Sequence, residues 1–352
     1  MTISNKTRRR FLQATGAAVV GALSAPYIIR SARADSKELV FVGFGGSYQD
    51  GQTKAYFEPF ERETGIKVTQ TSGVEIAKLR AQVQAGHVEW DLATLPDRLL
   101  FAATEENLLT PLDYGVINTA DIQKSVVRKY SLGHISLAMA LTYSTSFYKP
   151  GTEPKNWQDF WNLASVPGIR GLFNNPAYSL EIALVADGVP KDKLYPLDVE
   201  RALKSLDRIK SKVIWWDQFP QPGVMLQSGE ITMTPWTRGA SFHLEGQPIA
   251  VSFDGAIASY ENWTVPKDAP HADAAMKFID FAMKPERQAA LTKYVAFGPT
   301  NAKAWPLVDP KVAPWLASYP EYHDKEVQFD GDWWGRNLAK VSEKWDEWRL
   351  SK

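Results

Sequence analysis

The stretch ELVFVGFGGSYQDGQTKAYFEPFERETGIKVTQTSG at residues 38–73 decides the fold. ELVFVGF is a β-rich run, SYQDGQTKAYFEPFERETG is amphipathic and ends at Gly65, and IKVTQTSG predicts a second strand. The unit repeats with a helix pattern at 74–86, a strand pattern at 91–96 and a helix pattern at 98–109. Three β-α units in succession predict an α/β fold with a largely parallel sheet and helices on both faces. Ligands in such sheets bind at the carboxyl ends of the strands.

The regular alternation of strand and helix patterns ends after Pro111. This change predicts a second lobe. HISLAMALTYSTSFY, residues 134–148, reads as one or two strands, and a second alternating region begins with IRGLFNNP at Ile169. A third region from Asp273 is mainly helical. A chain of 352 residues exceeds the size at which one core usually keeps growing, so two lobes are expected. The predicted boundaries are lobe 1 at 35–140 and 256–300, lobe 2 at 141–255, and a C-terminal helical segment at 301–352 packing on the lobes.

The first 34 residues have the layout of a secretory signal peptide. NKTRRRFLQ is basic, ATGAAVVGALSAPYII is short and weakly apolar, and ARA at 32–34 supplies a cleavage site of the A-x-A kind. The paired arginines before Phe11 and Leu12 resemble a twin-arginine signal, an address for export of a folded protein. The leader therefore predicts an exported protein, with a basic, disordered tail as the alternative.

Charge and composition argue against several classes of function. Without residues 1–34 the chain keeps 34 basic and 40 acidic residues, a net charge that does not suit nucleic acid. Cysteine is absent, and the five histidines are scattered without metal-ligand spacing. No G-x-S-x-G elbow and no P-loop occurs. We therefore expect no metal, no cofactor and no enzymatic activity.

GFGGSYQDG, residues 43–51, follows a strand and opens a helix. It fails as a dinucleotide loop because Tyr48 stands where the third glycine belongs. A helix N-terminus with Ser47 remains, and it suits a polar or anionic group. The alternative is a tight β-α turn that needs glycine.

Five segments resemble the periplasmic solute-binding proteins of the spermidine/putrescine-binding type, which serve ABC importers. They are FEPFERETGIKV, AKLRAQVQAGHVEWDLATLP, PKNWQDFWNLASVPGIRGLF, GEITMTPWTRGASFHLEGQPIAVSF, and AAMKFIDFAMKPERQAAL followed by FGPTN. The resemblance implies a two-lobe periplasmic binding protein fold of type II, with mixed sheets flanked by helices and joined by hinge strands. It also implies a partner permease in the inner membrane, and we expect a monomer. The ligand-contacting positions that it implies are Gly46, Ser47, Tyr48, Asp97, Arg98, Tyr178, Asp217, Trp236, Arg238 and Glu261.

Three departures from the polyamine binders bear on the ligand. Tyr178 stands where an acidic residue is expected, Ser259 replaces an aromatic residue, and Arg238 replaces a small one. Trp236 matches an aromatic that packs on the ligand, and Glu261 falls where an aspartate meets a ligand ammonium group. A dication needs a carboxylate at each end, because an ammonium taken from water without a counter-charge is costly. An arginine forks two donors onto a carboxylate.

Arg238 and Glu261 facing one cleft would suit a zwitterion with separated charges, such as γ-aminobutyrate or another ω-amino acid. Alternatively, Arg238 pairs with an internal acid such as Asp254 or Glu261, or it points to solvent. Polyamines, aminophosphonates and opine-like compounds remain alternative ligands. An exported hydrolase with dispersed catalytic groups, or a structural or signalling ectodomain of the same bilobed fold, would belong to other classes.

Overall fold

A computed structural model describes residues 37–237, 247–322 and 324–351. The strands within these residues are β1 (Glu38–Gly43), β2 (Lys67–Ser72), β3 (Leu92–Pro96), β4 (Leu109–Thr110), β5 (Leu132–Ser144), β6 (Arg170–Phe173), β7 (Val213–Trp216), β8 (Met233–Thr237), β9 (Ile249–Pro266), β10 (Gly298–Pro299) and β11 (Val327–Gln328). The α-helices are α1 (Gly46–Gln52), α2 (Glu58–Thr64), α3 (Ile76–Ala85), α4 (Asp97–Glu105), α5 (Trp157–Trp161), α6 (Pro176–Ala186), α7 (Val199–Asp207), α8 (Gln221–Ser228), α9 (Ala272–Ala282), α10 (Pro285–Leu291) and α11 (Gly331–Leu350).

The first three strands are parallel, as the opening stretch predicts. β1 pairs with β2 on one side and with β3 on the other. The amphipathic stretch between β1 and β2 is interrupted: a π-helical turn at Thr53–Phe57 separates α1 from α2. α2 ends where Gly65 adopts a left-handed φ of 72°, a conformation that favours glycine. The turn rotates the helical face, so that Tyr56, Phe57 and Phe60 are all buried.

Two long antiparallel strands, β5 and β9, link the two halves of the sheet. The strand order is β2-β1-β3-β9-β5-β8-β6-β7. Residues 134–144 of HISLAMALTYSTSFY lie in a single strand, β5, and the remaining residues 145–148 form a turn. The register shifts between Met139, opposite Ile257, and Leu141, opposite Ser252, so that β9 carries a bulge here. Gly255 in this bulge has a φ of 76°.

Two main hydrophobic cores lie on either side of the bulge. Phe41, Phe57, Trp263 and Phe278 are buried beside β1, β3 and α9. In the second half, β6 runs parallel to β7 and β8, and the core contains Trp157, Trp216, Trp236 and Trp334. Carboxyl ends of parallel strands lie at one edge of a sheet, so each half presents its loops at such an edge.

The C-terminal helix α11 contacts both halves. Gly335 packs so closely against Phe101 of α4 that a Cβ at position 335 would overlap the Phe101 Cβ. At the other end, the Trp348 Nε1 donates to the Asp207 Oδ1 of α7 at 2.7 Å. In the part of the chain that the structure describes, no helix combines the length and apolar character needed to cross a membrane.

Candidate functional site

The first turn of α1, which follows the short loop after β1, carries three of the predicted site residues. Gly45 and Gly46 have φ values of 81° and 63°, which L side chains rarely adopt, and the chain turns there directly into α1. Gly46 and Ser47 are exposed at the start of this short helix, and Tyr48 is half-buried. The two glycines therefore have a local conformational role whether or not a ligand approaches them.

Tyr48 lies between aromatic rings and polar side chains. Its ring contacts Phe297 edge-on, with centroids 5.3 Å apart. Its hydroxyl accepts a hydrogen bond from the Gln52 Nε2 at 3.2 Å and lies 3.3 Å from the His134 Nε2. Burial raises the pKa of the Tyr48 phenol well above its usual value, and Glu261 adds to this effect. Tyr48 is therefore a neutral hydroxyl within electrostatic range of the Glu261 carboxyl.

Asp97 begins α4 directly after β3 and is almost completely buried. Its carboxylate accepts hydrogen bonds from the Arg128 guanidinium at 2.7 Å, the Tyr260 backbone N–H at 2.9 Å and the Asn262 Nδ2 at 3.1 Å. These bonds connect the first turn of α4 to β9 and balance the buried charge. The neighbouring Arg98 is exposed, and its side chain forms no hydrogen bond with any residue that the structure describes.

Glu261 lies on β9, opposite Pro96 of β3 and Ile135 of β5. Its Oε2 atom is buried and has no hydrogen-bond partner among the described residues. Burial raises the pKa of the Glu261 carboxyl to about 8; Arg98 opposes this shift and Asp97 adds to it. A buried polar atom without a partner is uncommon in folded proteins, and it marks Glu261 as a candidate ligand contact.

Tyr178 of α6 belongs to the second half of the protein and lies within electrostatic range of Glu261. It lies in the first turn of α6 with a φ of 74°, which is unusual for a bulky residue and is often found at binding sites. Its hydroxyl is 3.2 Å from the Ser259 Oγ, and its ring stacks on Phe329 at 5.0 Å. Burial raises the Tyr178 pKa to about 12, the Ser259 hydrogen bond and Arg98 oppose the shift, and Glu261 adds to it.

Five of the ten predicted site residues therefore share one electrostatic neighbourhood. We call them the Glu261 cluster: Tyr48, Asp97, Arg98, Tyr178 and Glu261. They come from α1, α4, α6 and β9, and thus from both halves of the sheet. The cluster combines the hydrogen-bonded Asp97 carboxylate, the Glu261 carboxyl whose Oε2 has no partner among the described residues, one exposed guanidinium and two neutral phenols.

Asp217 and Trp236 lie at the carboxyl edge of the second half, outside this cluster. Asp217 is exposed after β7 and accepts a hydrogen bond from the Asn174 Nδ2 at 2.8 Å. Trp236 is only 2% exposed, and its Nε1 donates to the Phe219 carbonyl oxygen at 2.6 Å. Within the described ranges, no hydrogen bond joins either residue to the Glu261 cluster. Arg238 lies outside the described residues.

Sequence reasoning did not identify the residues that support the cluster. His134, Gln52 and Phe329 contact Tyr48 or Tyr178 directly. The only sequence signal for His134 is a histidine inside an apolar strand run, and Gln52 has none. Among the residues described, no three acidic or histidine side chains are grouped as metal ligands.

The fold is that of periplasmic binding proteins, a class in which a small molecule binds between two lobes. Residues 55–323 match the family of bacterial extracellular solute-binding proteins, and the chain belongs to this family.

The chain is 31% identical over 330 residues to the γ-aminobutyric acid-binding protein of Pseudomonas aeruginosa, covering 90% of this chain and 92% of that protein. A solved structure of the periplasmic binding protein AgtB from A. tumefaciens with agropinic acid is 37% identical, with a TM-score of 0.74, covering 89% of this chain and 99% of that one. A structure described as a GABA receptor is 33% identical, with a TM-score of 0.82, and the match covers 90% of this chain and 98% of the other.

These similarities confirm the predicted fold class and the predicted role. The chain is a substrate-binding component of an ABC transporter, and its family consists of transport receptors rather than enzymes. The exported hydrolase considered from the sequence is therefore set aside.

Proposed function

We propose that this protein captures an ω-amino acid such as γ-aminobutyrate in the periplasm and presents it to an ABC permease. The observation that carries this proposal is Glu261 of β9, a half-buried residue whose Oε2 atom is itself buried and has no hydrogen-bond partner among the described residues.

A ligand ammonium group supplies what Glu261 lacks. An unpaired buried polar atom costs roughly 1–3 kcal/mol, and an ammonium offers three N–H donors together with a charge opposite to that of the carboxylate. Without a ligand, a pKa of about 8 leaves the carboxyl mostly protonated at neutral pH. A bound ammonium would lower this pKa, so that the ion pair forms at the moment of binding.

An arginine supports binding of the opposite end of a zwitterion. Arg98 is exposed beside the buried Asp97 and lowers the pKa of Glu261 without forming an ion pair with it in the described structure. Its guanidinium is therefore available for a carboxylate that lies a few carbon atoms from the ammonium. Arg238, which the sequence places directly after β8, remains the second candidate for this role.

The relatives support a ligand that carries a carboxylate. One is named for γ-aminobutyrate, a second is described as a GABA receptor, and a third holds agropinic acid. A polyamine is the second candidate, and Asp217 is the observation that favours it. This exposed carboxylate at the end of β7 could meet a second ammonium group if closure brings it towards Glu261.

We further propose that lobe 1 comprises 35–140 and 256–300, that lobe 2 comprises 141–255, and that 301–352 packs on both. The bulge in β9 would then be where the lobes bend towards each other. Residues 1–34 would direct export by the twin-arginine route, and the mature receptor would act as a monomer.

Calorimetry of the purified protein tests the ligand, after unfolding and refolding have removed any compound carried through purification. Binding of γ-aminobutyrate without binding of putrescine is the expected result. Binding of putrescine alone would contradict the proposal and favour the polyamine alternative. Compounds released by denaturing the native protein, identified by mass spectrometry, give an independent answer.

A further inference from the structure

The first turn of α6 is irregular at Tyr178. Ala177 has an extended ψ of 132° and Tyr178 has a left-handed φ of 74°, so the regular helix begins at Ser179. Tyr178 thus occupies the N-cap position of the regular helix, where serine, threonine, aspartate and asparagine are the usual residues. A bulky residue keeps a left-handed conformation only when its surroundings hold it there. The local sequence therefore does not account for the backbone of Tyr178.

Glu181 is placed to act on this backbone. It is the third residue of the regular helix, the position from which a glutamate reaches back to the N-cap N–H in a capping box. Burial raises the pKa of its carboxyl to about 7, and the Tyr178 backbone N–H is among the groups that lower this pKa. The Glu181 Oε2 accepts no hydrogen bond of ordinary geometry from the described residues, so the Tyr178 N–H acts on the carboxyl as a nearby dipole.

Trp334 of α11 fixes the Glu181 carboxyl. Its indole Nε1 donates to the Glu181 Oε1, which also accepts a hydrogen bond from the Tyr195 hydroxyl at 2.6 Å. Glu181 is 0% exposed and Trp334 is 1% exposed, so water does not compete for these bonds. The C-terminal helix is thereby joined to the first turn of α6.

Trp334 also supports the Tyr178 ring, through Phe329. The Trp334 and Phe329 rings are nearly parallel, with an interplanar angle of 2° and centroids 6.1 Å apart. Phe329 in turn stacks on Tyr178, with centroids 5.0 Å apart. Trp334 is therefore connected to Tyr178 by two routes, one through the carboxyl near the Tyr178 backbone and one through the ring that packs on its side chain.

Resting on the proposed function, we infer that Trp334 and Glu181 are positioning residues that hold Tyr178 in place at the ligand site. Tyr178 is the residue of the second half that contacts Ser259 of β9. Both positioning residues are buried, so they act on the ligand through Tyr178. The C-terminal helix thus contributes to ligand affinity without touching the ligand.

Trp345 provides a matched control. It lies on the same helix, is 3% exposed and belongs to the same hydrophobic core as Trp334. Its ring contacts Trp215 and Trp348, and no ring contact or hydrogen bond among the described residues links it to Tyr178. Trp345→Phe therefore makes the same chemical change in the same core and leaves both routes to Tyr178 intact.

Carbon NMR of the ¹³C-tyrosine-labelled full chain, without added ligand, tests the positioning directly. The Tyr178 ring resonances are assigned by their loss in Tyr178→Phe. We expect them to shift in Trp334→Phe, which lacks the indole N–H, and to stay in place in Trp345→Phe. Unchanged Tyr178 resonances in Trp334→Phe would overturn the inference. This measurement does not depend on the identity of the ligand.

A double-mutant cycle tests whether the effect on the ligand passes through Tyr178. We expect Trp334→Phe to weaken γ-aminobutyrate binding about tenfold, the equivalent of roughly one hydrogen bond, while Trp345→Phe binds as wild type does. Tyr178→Gly removes the side chain and adopts a left-handed φ without strain. In this background Trp334→Phe should change the affinity less than about twofold. Equal losses in both backgrounds would mean that Trp334 acts on the whole fold, and would overturn the inference.

Two further arrangements separate the possible failures. If Trp334→Phe does not fold, Phe329→Leu takes its place, because it removes the ring between Trp334 and Tyr178, and the expectation is the same. If wild-type protein binds putrescine and not γ-aminobutyrate, the proposed function fails, and the cycle is measured with putrescine. Coupling through Tyr178 would then still support the positioning role, and its absence would overturn it. The tyrosine spectra decide the inference for any variant that binds too weakly to titrate.

Discussion

The Tyr178 hydroxyl lies 3.2 Å from the Ser259 Oγ, and this contact joins the first turn of α6 to the long strand β9. The Tyr178 backbone adopts a φ of 74° to make it. Both residues differ from what the polyamine-binding pattern predicts at these positions. The pair replaces an acid and an aromatic residue with two neutral hydroxyls beside Glu261.

The first prediction concerns this pair. Tyr178→Phe removes the hydroxyl and keeps the ring that stacks on Phe329, so it should lower the free energy of unfolding by roughly 0.5–1.5 kcal/mol. Ser259→Ala should do the same, and the double variant should lose clearly less than the sum. Denaturant unfolding of the four proteins measures this coupling. Strictly additive losses would show that the two hydroxyls do not interact.

The second prediction concerns the affinity for the ammonium end. Glu261→Gln keeps the size of the side chain but removes the charge, and it should weaken γ-aminobutyrate binding by roughly 2–5 kcal/mol because the ligand ammonium is left without a counter-charge. The exposed Glu230→Gln serves as the matched control and should bind as wild type does. Calorimetric titration makes the comparison. Wild-type affinity in Glu261→Gln would remove this residue from the site.

The third prediction concerns stability and pH. Burial raises the pKa of Glu181 to about 7, although Tyr195 and Trp334 donate hydrogen bonds to its Oε1. Because the folded state holds this proton more tightly than the unfolded state, the resulting stability is fully present below the unfolded pKa of about 4.3 and is lost as the pH rises towards 7.

Glu181→Gln should therefore flatten the fall in stability between about pH 4.3 and 7, a difference on the order of 3 kcal/mol across that window. Urea unfolding at a series of pH values measures it, and the exposed Glu347→Gln is the control. An unchanged pH profile in Glu181→Gln would mean that this carboxyl is ionised in the folded protein.

The fourth prediction separates the two arginines. If Arg238 anchors the ligand carboxylate, Arg238→Ala should weaken binding by roughly 2–5 kcal/mol. In that case Arg98 contributes only a screened attraction, and Arg98→Ala should cost about 1 kcal/mol. If the exposed Arg98 is the anchor instead, the two losses are reversed. The exposed Arg62→Ala controls for the change in net charge. A larger loss in Arg98→Ala than in Arg238→Ala would assign the carboxylate to α4.

The sequence predicts the β-α units well because their periodicity is local. The strand and helix patterns of 38–96 appear near their predicted positions, and Gly65 ends its helix as a left-handed glycine. The helix predicted at 98–109 is shorter: α4 ends at Glu105, and Leu109 begins the short strand β4. The sequence does not predict the π-helical turn at Thr53–Phe57, because TKAYF contains no glycine or proline that would distinguish it from an ordinary helical turn. The length of β9 was also missed, since its register depends on β5 and β3, which are distant in sequence.

The site could be predicted only in part. The resemblance to the polyamine binders implies that Tyr48 and Arg98 are both ligand contacts, and their positions after β1 and β3 agree with the rule that loops after parallel strands meet at one edge. Asp97 accepts hydrogen bonds from Arg128, Tyr260 and Asn262, which are all distant from it in sequence. No local sequence pattern predicts these tertiary contacts. The buried position of Trp236 could not be predicted for the same reason. Its indole N–H donates to the Phe219 carbonyl oxygen, another tertiary contact.

The most direct test of the central claim measures protons released when γ-aminobutyrate binds at pH 7. Titrations in two buffers of different ionisation enthalpy give this number. With the Glu261 pKa at about 8, wild-type protein should release close to one proton as the ammonium converts the carboxyl to a carboxylate, and Glu261→Gln should release none. Binding without proton release in wild type, or equal release in both proteins, would contradict the assignment of Glu261 as the ammonium site.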